Sequence, residues 1–86
     1  MTKADYLYYA SDLRRVANWV ARGQKEKLRL IERIFVDAKK KSEVWKIIKS
    51  SKADIDPKEA FENKRKRIFF AEQALVSSLR LQNLAV

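Results

Sequence analysis

Apolar residues recur along this chain at alternating spacings of three and four, the repeat that keeps side chains on one face of an α-helix. Tyr6, Tyr9, Leu13, Val16 and Val20 form the first such seam, flanked by Ala10, Ala17 and Ala21, which permit close approach of a neighbour. A second runs through Leu28, Ile31, Phe35, Ala38 and Trp45, with Ser42 filling the gap. The third passes through Phe61, Ile68, Ala71, Leu75 and Ser78, with Lys64 as its polar exception.

Stop signals divide the chain. Thr2-Lys3-Ala4-Asp5 resembles a capping box with Asp in place of Glu or Gln, and Gly23 suits a C′ position, where positive φ costs least. They bound a helix from about residue 3 to 22. Asp56-Pro57-Lys58-Glu59 combines an N-cap, proline at N1 and an acid at N3, and predicts a helix over 57–84. Ser50 to Ile55 is the one clear loop. One long helix is expected over 24–49. Its alternative is a break at Lys39-Lys40-Lys41-Ser42, with Ser42 as the N-cap of a short fourth helix. Short connections favour antiparallel neighbours. The expected fold is all-α: a single domain, 1–86, built as an antiparallel up-down-up bundle of three long helices.

Two helices carry apolar residues away from their seams. In the first helix, Tyr8, Arg15, Trp19 and Arg22 share a stripe that is aromatic and basic together, suited to burial, stacking or cation–π contact. A covering helix is the structural alternative. In the last helix, Phe70, Ala74 and Leu81 lie away from Ile68 and Leu75, with Phe69 and Val76 on a flank. Three helices hardly surround one of their own members. These residues are therefore expected to contact a protein partner, with a second copy of the chain the simplest candidate.

Charge adds a second theme. Twenty Lys and Arg against eleven Asp and Glu leave a formal charge of +9, a bias toward nucleic acid, anionic membrane or acidic protein. With an unbroken second helix, Lys39, Lys40 and Lys41 fall level with Lys64, Arg65, Lys66 and Arg67, each group about 15 Å from the loop between them. Seven cations would form one belt, able to contact phosphates with little sequence discrimination. A solvated charged surface explains the same residues. Contact with lipid is disfavoured by Glu72 and Arg80 within the apolar helix that follows.

The chain contains neither His nor Cys, which removes the commonest general base, the thiol nucleophile and Cys- or His-based metal sites. Its one glycine cannot build a phosphate-cradling loop. No catalytic residue, cofactor, metal or small-molecule substrate is expected. Without a signal-peptide apolar region, the cytoplasm is the expected compartment. The sequence supports a small basic helical adaptor or regulatory protein that self-associates through its last helix. The alternative is an accessory nucleic-acid-binding protein.

Overall fold

The computed structural model describes all 86 residues and contains only helices. They are α1 (Lys3–Ala21), α2 (Leu28–Lys39), α3 (Ser42–Ser50), α4 (Pro57–Ala60) and α5 (Lys64–Leu84), with a 3₁₀ turn over Lys25–Lys27 before α2. None is long and apolar enough to cross a membrane.

Local chemistry accounts for both ends of α1. The Asp5 amide donates to Thr2 Oγ1 at 3.2 Å, and the Thr2 amide donates back to Asp5 Oδ2 at 3.0 Å, completing the capping box. At the other end Gly23 has φ +69°, its amide donates to the Val20 carbonyl, and the Gln24 amide donates to the Trp19 carbonyl. This is a Schellman closure.

The long second and third helices expected from the sequence are each divided. The second stops at Lys39, and Lys41 takes extended angles (φ −110°, ψ 101°) before α3 begins. Ser42 is the first residue of α3 rather than its cap, and no side chain caps that end. Ala38 before the break and Val44 after it are both fully enclosed. The third helix is interrupted at Phe61–Asn63. Asp56 Oδ1 accepts from the Lys58 amide to start α4, and Asn63 Oδ1 accepts from the Lys66 amide at 2.8 Å to start α5.

The packing centres on an antiparallel pair. Ser78 Oγ of α5 donates to the Ala10 carbonyl of α1 at 2.6 Å, while Arg67, near the start of α5, lies against Gly23 just beyond the end of α1. Small residues (Ala10 and Ala17 on one helix; Ala71, Ala74 and Ser78 on the other) are buried along this pair and let the backbones approach closely. The remaining helices cover one side of it. Phe35 of α2 packs on Phe70 with ring centroids 5.7 Å apart and edge-on to Trp45 of α3 at 6.5 Å. Arg80 Nη1 donates to Ser50 Oγ and Ser51 Oγ, tying α5 to the end of α3.

This arrangement corrects the expected orientation of the last helix. Phe70, Ala74 and Leu81 are completely enclosed within the monomer, so they are not available to a partner. Ile68 and Leu75, expected in the core, are 45% and 41% exposed. Small residues at 71, 74 and 78 let α1 approach closely, Phe70 and Leu81 fill the core beside them, and the stripe through Ile68 and Leu75 turns outward.

Candidate functional site

Three surfaces collect the residues singled out by the sequence. The first is a groove between α1 and α2, which runs back along α1. Tyr8, Asp12, Arg15 and Trp19 form one wall; Leu30, Arg33, Ile34, Asp37 and Lys40 contribute to the other, around a volume of about 570 Å³. The expected aromatic and basic stripe therefore stays together, and α2 flanks it without burying Tyr8. Arg22 is exposed beyond the groove, at the C-cap of α1. Lys27 Nζ sits 5.6 Å from the Trp19 ring, covering part of that aromatic surface.

Asp12, which falls within the same stripe of α1, is buried in this groove and bonded to Arg15 Nη2 at 2.8 Å. Burial pushes its carboxyl above the ordinary carboxylate range; Arg15 pulls it down and Asp37 adds to the rise. A raised folded-state value means that the native chain holds the proton more tightly than the unfolded one. Stability contributed by this proton is fully present below the ordinary carboxyl value of 3.8 and is lost as pH climbs through the raised value. Asp12→Asn should remove that dependence, so the urea midpoint of the wild type should fall relative to the variant on going from about pH 3 to about pH 7. A difference that stays constant with pH would show that burial does not control Asp12.

The second surface is the expected seven-cation belt, which the structure divides in two. Lys40 lines the groove beside Tyr8, and Lys41 lies close enough to Asp5 to influence its carboxyl, placing Lys39–Lys41 near the start of α1. Arg67 lies against Gly23, placing Lys64–Arg67 at the opposite end. The two runs are separated by most of the length of α1, about 20 Å. Height-matching failed because it assumed an unbroken helix over 24–49. The two runs also differ in local company. Lys39 Nζ rests 5.2 Å from the Trp45 ring and lines a pocket with Glu32, Asp54 and Asp56, whereas Lys66 alone of the second run is ion-paired, to Glu62 at 2.7 Å.

The third surface is the outer face of α5. Ile68, Phe69, Leu75, Val76 and Leu79 are each 41–46% exposed and are interrupted by a single acid, Glu72. Cations border them: Lys64 and Arg65 at the start of the helix, Arg80 along one edge, and Arg14 from α1, which donates to Gln82 across the other. The structure contains two ion pairs, Arg15–Asp12 and Lys66–Glu62, so none of these four has a carboxylate partner. The sequence pattern contained part of this face, with Ile68 and Leu75 at helical spacing and Phe69 and Val76 on a flank, but the three-and-four seam drawn from Phe61 placed Ile68 and Leu75 in the interior.

Comparison with protein-family models, curated proteins and solved structures gave no match, so the function is argued from these surfaces alone.

Proposed function

We propose that the protein is a non-enzymatic adaptor that seats one amphipathic helix of an acidic protein partner on the outer face of α5. The observation that carries this reading is the run of five half-exposed large apolar side chains on that face. Contiguous apolar surface rimmed by polar groups is the usual mark of a protein contact, and a helix offers apolar residues at i, i+3, i+4 and i+7 to fill it.

Charge selects the occupant. Arg14, Lys64, Arg65 and Arg80 surround the face without carboxylate partners, and the whole chain carries +9. A second copy would bring a like-charged rim against this one. A helix with acidic flanks would meet it with opposite sign, which favours both encounter and register. The residues originally expected to self-associate, Phe70, Ala74 and Leu81, give way here to Ile68, Leu75 and Leu79. The α1–α2 groove is a less selective surface, because Asp12 and Asp37 alternate with its cations.

The test uses a labelled synthetic amphipathic peptide with Leu on one face and Glu on the other. Anisotropy should report binding to the wild type, and Leu75→Gln with Leu79→Gln should weaken it by at least about tenfold while helix content is kept. A matched peptide with Lys replacing Glu should not bind. Equal binding of the acidic peptide by wild type and double variant would overturn the assignment. So would sedimentation showing a dimer through this face that the peptide fails to displace.

A further inference from the structure

We propose a second binding site at the end of the molecule where α1 stops and α5 starts, for the phosphodiester backbone of nucleic acid. Two segments distant in sequence meet there. The Arg67 guanidinium packs on Gly23, with Nη1 and Cζ 3.1 and 3.4 Å from where a Cβ on that glycine would stand. Gly23 is flanked by Arg22 and Lys25, while Lys64 and Arg65 precede Arg67 within one helical turn. Arg22, Lys25, Lys64 and Arg65 are all exposed.

Arg67 acts as the anchor of this end rather than as a contact. It is half-buried, its Nε is enclosed without a hydrogen-bond partner, and it holds the two cationic segments against each other. The nearby acids are Glu26, Glu59 and Glu62, and Glu62 is already committed to Lys66. The four exposed cations make no ion pair. Duplex DNA presents one negative charge per about 1.7 Å of axis, so two cationic segments a helix diameter apart meet several phosphates at once.

The form of the site argues for backbone contact without base reading. Its cations sit on a turn and a helix start, and contacts of this kind fix position without reading sequence. Lipid is the other polyanion of phosphate chemistry, but no large apolar side chain is exposed on the turn that carries Arg22 and Lys25, and Ile68 and Phe69 beside Lys64 and Arg65 belong to a face that also carries the exposed acid Glu72.

The experiment titrates a short labelled DNA duplex with the full chain across a salt series and compares two neutralised variants of equal charge. One carries Arg22→Gln, Lys25→Gln, Lys64→Gln and Arg65→Gln; the other carries Lys39→Gln, Lys40→Gln, Lys41→Gln and Lys46→Gln at the opposite end. The wild type should bind with log affinity falling linearly against log salt. The first variant should lose at least about tenfold at low salt and flatten the slope by roughly three to four, at about 0.9 per phosphate released. The second should change both much less.

Failure to bind at low salt, equal losses from the two variants, or loss of helix content in the first would each overturn the proposal. Binding to phosphatidylserine vesicles that the duplex does not displace would overturn it in favour of lipid. Lys64 and Arg65 also border the apolar face of α5, so the Leu75→Gln, Leu79→Gln variant separates the two sites. It should keep duplex binding while losing the acidic peptide.

Discussion

Phe70→Ala is expected to lower folding stability by about 3–5 kcal/mol, the range for deleting a fully buried aromatic side chain. Phe70 has no exposed surface, and its ring packs on Phe35, which in turn meets Trp45 edge-on. It therefore sits where α5, α2 and α3 share one core, and its loss removes contacts from all three. At roughly 0.05–0.15 kcal/mol per residue a domain of this length has only about 4–13 kcal/mol in total. The variant should show a much lower urea midpoint by far-UV circular dichroism and a substantial unfolded fraction in buffer. Leu75→Ala, on the exposed side of the same helix, should cost less than about 1.5 kcal/mol because much of that side chain stays in water in either state. If the two losses were equal or reversed, the facing of α5 described here would be wrong.

That comparison bears on how much of the molecule its sequence discloses. The ends of α1, the start of α4 at Asp56-Pro57 and the all-helical character are local matters, determined by residues a few positions apart, and they were legible. The orientation of α5 is not local. Two helical stripes compete on it, one through Ile68 and Leu75, the other through Phe70, Ala74 and Leu81, and three-and-four spacing carried on from Phe61 chooses the first. What decides is the distance to α1, set by alanines and serines whose importance shows only once the pair is aligned.

The breaks at Lys40–Lys41 and Phe61–Asn63 follow the same logic. Asn63 is a competent N-cap, and the lysine run offers an alternative stopping point, but spacing favours one continuous helix over 24–49. The fold resolves it, with Lys41 extended between the enclosed Ala38 and Val44. Height-matching across an assumed helix then carried the error into the cationic belt. The Tyr8–Arg15–Trp19 stripe survived because it lies on one uninterrupted helix. Its opposite wall on α2 required the fold.

The close approach of α1 and α5 makes Ala74→Leu the second large expected effect, and its sign is informative. On burial alone a larger apolar side chain in the core would add stability. Ala74 is already completely enclosed, and Ser78 one turn further on is bonded to the Ala10 carbonyl, which fixes the separation of the two backbones there. A leucine has to push elements apart, stretching that bond and displacing neighbouring side chains, so a loss of about 1–3 kcal/mol is expected. For a domain of this size that lowers Tm by roughly 4–8 °C per kcal/mol. Ser77→Ala supplies the contrast on the same helix. Its hydroxyl is buried without a hydrogen-bond partner, so its removal should leave Tm unchanged or raise it. A rise in Tm for Ala74→Leu would mean that α1 and α5 stand farther apart than a small-residue contact requires. The inward face of α5, and with it the outward placement of Ile68, Leu75 and Leu79, would then have to be reassigned.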